Sequence, residues 1–173
     1  MMFGTENQEA HLLGARTGDV AALRIIGRAT FKISGEFRDF GLAAVHERER
    51  SLILDFSECT SVDSTILGVI AMIGLEGRGS TALVAVNANP PVRNQLQGVG
   101  LSKLLRFADT DADQMDWSGL CAAAAGSVET DAVSETMLAA HETLMNLDER
   151  NIPVFRDVVE LLKQQKQSTQ SKS

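Results

Sequence analysis

Three consecutive residues, Asp63-Ser64-Thr65, place a carboxylate and two hydroxyls where one apolar pattern stops and another begins. Upstream, Leu52, Ile53 and Leu54 form a continuous apolar run; downstream, Ile66, Leu67, Val69, Ile70 and Ile73 recur at helical spacing. The polar residues therefore mark the start of a helix that follows a buried strand. A helix N-terminus carries unpaired backbone N–H groups and the positive end of the peptide dipoles, so it favours a carboxylate or a phosphate. A side chain there can cap the helix, which is worth about 1 kcal/mol, or a hydroxyl can carry a phosphoryl group that the fold tolerates. Spacing alone favours the cap, from either Ser64 or Asp63, with Thr65 a first-turn residue or a secondary acceptor.

Nothing else in the chain has the makings of a reactive centre. His11, His46 and His141 are scattered and show no metal-ligand spacing. Their expected roles are solvated or packed ones. Gly74-Leu75-Glu76-Gly77-Arg78-Gly79 is glycine-rich but lacks the Lys-Ser/Thr of a phosphate loop, so it reads as a turn. Cys59 and Cys121 are far apart and have no neighbouring histidine signature for nucleophilic catalysis, which suits reduced, structural thiols. With no acid/base, nucleophile or metal constellation, neither a cofactor nor an enzymatic activity is expected.

The elements around Asp63-Ser64-Thr65 alternate. Ala21–Ile26 reads as a strand ending at Gly27, and Arg28–Ser34 as a turn region. Gly35–Arg50 has the pattern of an amphipathic helix, with Phe37, Phe40, Leu42, Ala44 and Val45 set among charges. Leu52–Phe56 is a buried strand, Ser64 to about Leu75 a second helix, and Thr81–Val86 another apolar strand. Asn89-Pro90-Pro91 opens a third helix over Val92–Gln97, with proline at its first turn. Leu101–Phe107 is a short strand or helix-like segment. This alternation indicates an α/β fold with a parallel or mostly parallel sheet.

Beyond that unit the composition changes. Residues 109–131 hold six acids and no Lys or Arg, which leaves about −1 of the net charge of −7 to the rest of the chain. They read as an Ala/Gly-rich linker with Trp117–Cys121 as a docking patch. From 132 to 163 a helical stripe, including Met137, His141, Leu144, Phe155, Val159 and Leu162, is interrupted at Asp148 and carries Pro153. Proline inside a helix costs about 3 kcal/mol, so two helices meeting near Asn151, or one kinked helix, are expected. The stripe suits a helix packed back on the domain, or a dimer or partner-docking element. Residues 164–173 read as a disordered polar tail and residues 1–10 as a flexible N-terminus.

The 173 residues suffice for one domain with an appendage, and 44% hydrophobic with 23% charged residues is ordinary for a globular protein. The acidic balance and the absence of a basic cluster argue against nucleic-acid binding. Apolar stretches of about ten residues fall short of a membrane span, and the first residues lack a basic region followed by an apolar core, so a cytoplasmic protein is expected.

Over roughly residues 10–108 the chain resembles the STAS family, whose best-known members are anti-sigma-factor antagonists. The resemblance rests on Val62-Asp63-Ser64-Thr65-Ile66-Leu67-Gly68 after a buried strand, on the Val84–Asn87 strand, and on Gln95–Leu105. Two positions depart from the common pattern: Ile66 stands where many members have Gly, and Arg28-Ala29 where many have an acidic residue. The resemblance implies a STAS-like, mostly parallel or mixed sheet of four to five strands at 11–108, followed by the helical extension. It implies a partner switch in which Ser64 is the phosphoacceptor, with Thr65 as alternative. In that scheme Asp63, Ser64, Thr65 and Ile66 face an anti-sigma factor or GHKL-type serine kinase, and a PP2C-type phosphatase reverses the modification. A homodimer through the C-terminal helices, and a STAS-fold scaffold or small-ligand or lipid-binding module without phosphorylation, are the further readings.

Overall fold

The computed structural model describes residues 10–110, 115–119 and 130–172. Residues 1–9, 111–114 and 120–129, with Cys121 and most of the expected linker, lie outside the described residues. The chain starts with β1 (His11–Thr17), which turns at Gly18 and pairs antiparallel with β2 (Val20–Ala29). Gly18 holds φ +59 in a two-residue connection, a backbone state that glycine adopts without steric cost. The β1 strand was not anticipated, because its pattern is broken by Gly14 and Arg16.

α1 (Ser34–His46), β3 (Ser51–Val62), α2 (Ser64–Glu76), β4 (Ala82–Val86), α3 (Pro90–Gly98) and β5 (Leu105–Ala108) follow. β6 (Ser118–Gly119) closes the sheet, and α4 (Thr130–Leu147) and α5 (Ile152–Gln170) complete the chain. The strand order is β5-β4-β3-β2-β1-β6. β2 to β5 are parallel to one another, while β1 is antiparallel to both β2 and β6. The sheet is thus mixed and mostly parallel, with its sixth strand a two-residue pairing from the stretch read as linker.

Several boundaries differ from expectation. β2 does not end at Gly27; it runs to Ala29 and shifts register against β3 between Arg24 and Ile26 and again between Gly27 and Arg28. Irregularities of this kind let a strand continue through a left-handed glycine, here at φ +84. β3 extends past Phe56, where its pairing with β2 shifts register and the continuous apolar run gives way to a mixed pattern: Cys59 and Val62 are buried while Ser57, Glu58 and Thr60 are exposed. Leu101–Phe107 divides into a 3-10 turn at Leu101–Lys103 and β5.

The break near Asn151 separates two helices. Asp148 caps a 3-10 turn at Glu149–Asn151, and Pro153 falls in the first turn of α5, where its missing N–H is not needed. Helix continues through Gln164–Gln170, correcting the expected disordered tail. Gln and Lys are good helix formers, and Ser168 and Thr169 return their hydroxyls to the Gln164 and Gln165 carbonyls.

One apolar core joins these layers. It unites Leu52 and Leu54 of β3, Leu83 of β4, Phe37 of α1 and Ile66, Ile70 and Ile73 of α2 with Ala140 and Leu144 of α4 and Phe155 of α5. α2 therefore has the sheet on one side and α4 on the other. It is buried along nearly its whole length, as befits a helix that is apolar all round.

Candidate functional site

The Asp63-Ser64-Thr65 turn is held from several directions. Asp63 has extended backbone and is the N-cap of α2: its Oδ1 accepts from Ile66 N–H at 2.9 Å, and its Oδ2 accepts from Phe31 N–H at 2.7 Å. Asp63 N–H donates to the Ala29 carbonyl at 2.9 Å. Gln95 clamps the preceding residue, donating to the Val62 carbonyl at 3.0 Å and accepting from Val62 N–H at 3.1 Å. Both carboxylate oxygens of Asp63 serve backbone donors, which makes it an anchor for the turn. The open choice of cap is thereby decided for Asp63, and Ser64 becomes the first residue of the helix.

Ser64 is half-buried, whereas Thr65 is 3% and Ile66 0% exposed. The helical advance of about 100° per residue turns these two toward the core. In this conformation neither Thr65 nor Ile66 presents its side chain to a partner.

The unforeseen member of the site is His141 of α4. Its Nε2 lies 2.8 Å from Ser64 Oγ, and its Nδ1 lies 2.6 Å from the Met137 carbonyl. A carbonyl only accepts, so Nδ1 carries hydrogen, and in the neutral ring Nε2 accepts the Ser64 hydroxyl proton. Phe155 of α5 meets the imidazole edge to face, with centroids 5.4 Å apart, and His141 is 2% exposed. The sequence offered one signal for this contact. Residues 66–75 of α2 contain no charged side chain, so the helix has no solvent face and something must cover it.

The cover is fastened elsewhere as well. One turn along α2, Gly68 faces Ala140 so closely that a Cβ on Gly68 would lie 2.6 Å from the Ala140 Cβ. Arg38 of α1 donates to Thr136 Oγ1 at 2.5 Å. At the junction of α4 and α5, Asn151 donates to the Val99 and Leu144 carbonyls at 2.9 and 2.8 Å. There too Lys103 reaches the Leu147 carbonyl at 3.2 Å and Asp148 Oδ2 at 3.1 Å. Hydrogen bonds from Arg150, then from Lys103, hold the Asp148 carboxyl well below the usual carboxylate range. The inward stripe is thus spent on packing: Leu144, Phe155, Val159 and Leu162 are buried. Exposed apolar residues on α5 are instead Ile152, Val154, Val158 and Leu161.

The remaining candidates are structural. Cys59 is buried, and desolvation pushes its thiol up to about 11. His46 lies on the surface, 3.4 Å from Glu76. Trp117 stacks over the Arg24 guanidinium at 4.5 Å, and Ser118 donates to the Gly14 carbonyl at 3.3 Å beside the β1–β6 pairing. Among the described residues no helix is long and apolar enough to cross a membrane.

The family model described as "Mlab, STAS domain" matches residues 13–106. α4 and α5, with His141, lie outside that span. No curated protein matches the chain. Among solved structures, an anti-sigma factor antagonist from Mycobacterium paratuberculosis aligns with a TM-score of 0.54 at 19% identity, over 61% of this chain and 90% of that one. A putative anti-sigma factor antagonist from Thermotoga maritima gives 0.51 at 20% identity, over 58% and 86%. The anti-sigma factor antagonist SpoIIAA in its unphosphorylated form gives 0.51 at 19% identity, over 58% and 88%. At these identities the likeness is one of fold.

Proposed function

The chain belongs to the STAS family, and from that premise we propose that it is a partner-switching regulator of the anti-sigma-factor-antagonist type. With Ser64 unmodified, it binds an anti-sigma factor that is also a GHKL-type serine kinase. Phosphorylation of Ser64 ends the association, and a PP2C-type phosphatase restores it. The observation that carries this reading is the position of Ser64: a half-buried hydroxyl at the first helical residue of α2, in a turn braced by Asp63, Ala29, Phe31 and Gln95. The three solved structures of similar fold are described as anti-sigma factor antagonists, which supports it.

The physics of release is electrostatic. A phosphoryl group brings about −1.5 to −2 charge and three strong acceptors next to Asp63. The helix N-terminus offsets part of that charge within the fold. An interface that buries the same spot must desolvate the dianion, at a cost of several kcal/mol, whereas about 1.4 kcal/mol already changes affinity tenfold. Intact-mass analysis of protein isolated from its native cells, with and without phosphatase treatment, tests the reading. A single phosphate mapped to Ser64 is expected; its absence under every growth condition overturns it.

The second reading is a STAS-fold scaffold or small-ligand or lipid-binding module that works without phosphorylation. It is favoured by one observation, that the Ser64 hydroxyl already has a partner in His141. A homodimer through the C-terminal helices would use the outward face of α5, where Val154, Val158 and Leu161 follow one another at four and three residues.

A further inference from the structure

With a neutral imidazole, Ser64 and His141 form a donor–acceptor pair of one polarity. Because the Nδ1 hydrogen is committed to the Met137 carbonyl at 2.6 Å, Nε2 of the neutral ring can only accept, and the serine hydroxyl supplies the proton at 2.8 Å. A phosphoserine has no such proton. Its ester oxygen and phosphate oxygens are acceptors, so the lone pair of Nε2 would face an anion across a contact that excludes water on the His141 side.

The space on the His141 side is closed as well. His141 is enclosed by Phe155, and one turn further on Gly68 and Ala140 already meet at a separation that does not admit even a Cβ. Helices in such contact have little room for a small local separation, because packed interfaces switch between discrete arrangements rather than deforming continuously. A phosphoryl group that stays between α2 and α4 therefore displaces α4.

We infer that the α4–α5 hairpin is an intramolecular ligand of the Ser64 face, and that its docking and phosphate on Ser64 exclude each other. The hairpin takes up the surface of α2 around Leu67 and Gly68 that an external partner of Ser64 would need. Its departure uncovers Ala140, Leu144 and Phe155 at the same time. A kinase acts on the open form, and the phosphate then removes the hydrogen bond that favours closure. Ligand and modification thus select between two states of one chain. The inference rests on Ser64 as the modified residue.

Amide hydrogen exchange on the full-length protein, with phosphoserine installed at position 64 by codon-directed incorporation, tests it. Exchange over residues 137–159 should accelerate at least about tenfold, with protection in β3 unchanged. Ser64→Glu, a smaller anion on the same residue, should accelerate the same segment to a lesser degree. Unchanged or increased protection of the hairpin overturns the inference, since it would mean that the docked form accommodates the phosphate, with His141 as donor or on the solvent side of Ser64. Loss of protection in β3 as well also overturns it, because the phosphate would then act on the whole fold. The phosphate is installed rather than found, so failure here is distinct from finding no phosphate on Ser64 in cells.

Discussion

Gly68 of α2 and Ala140 of α4 touch at the crossing of the two helices, with room for hydrogen and nothing larger between them. In an isolated helix, Gly→Ala is favourable by about 1 kcal/mol. Here the new methyl group would press on the Ala140 backbone and Cβ, and overpacking of this kind costs about 1–3 kcal/mol. Gly68→Ala should therefore lower stability in urea denaturation, with faster hydrogen exchange concentrated in α4 and α5. A stabilised variant would show that α4 does not rest on α2 in solution.

The glycine also shows where the reading of the sequence reached its limit. Asp63, Ser64 and the strand before them were legible because a cap, a strand and a helix start are local patterns, and the motif through Gly68 carried the family. Gly68 itself, His141 and Ala140 were not legible as a contact, since nothing in a helical stripe specifies which surface it covers. Met137, His141 and Leu144 gave the period of α4, and the all-apolar α2 implied a cover, but joining the two requires the fold. β1 and β6 went unseen for another reason: an edge hairpin interrupted by Gly14 and Arg16 and a two-residue strand have too little periodicity to announce themselves.

Asp55 of β3 is fully buried and accepts from Arg24 Nε at 2.7 Å and from Ser57 N–H at 2.9 Å. Removing the acid of such a buried pair withdraws its charge from the Arg24 guanidinium, and changes of this kind cost up to about 3–5 kcal/mol. Asp55→Ala should lose up to that much in equilibrium unfolding. The double replacement Arg24→Met with Asp55→Leu, which removes both charges and keeps apolar volume, should lose distinctly less.

Cys59 donates through its thiol to the Ser61 carbonyl at 3.4 Å and is 2% exposed. Burial pushes its thiol up to about 11, against about 8.5 for a free cysteine. At pH 8 it is therefore held in the protonated, unreactive form in the folded protein. Alkylation by iodoacetamide, followed by mass spectrometry of the Cys59 peptide, should run more than about a hundredfold slower in the native protein than after denaturation. Equal rates would place Cys59 outside the core.

Asp148 sits at the junction of α4 and α5, where Arg150 and Lys103 lower its carboxyl pKa below the ordinary range. A carboxylate depressed in the folded state contributes stability that is present above its unfolded value, about 3.9, and is lost as pH falls toward its folded one. Asp148→Asn keeps the size of the side chain but cannot gain that charge, and it should melt below the wild type at pH 7. As pH falls below about 4, the carboxyl takes up a proton in the unfolded chain while it stays ionised in the folded protein, so the difference between the two melting temperatures should shrink steadily. Because Lys103 belongs to the turn before β5 and Arg150 to the junction itself, the loss should appear first in the hairpin. Hydrogen exchange at acidic pH should therefore loosen α4 and α5 while β3 stays protected; a difference in melting temperature that persists undiminished in acid would show that Asp148 contributes through packing alone.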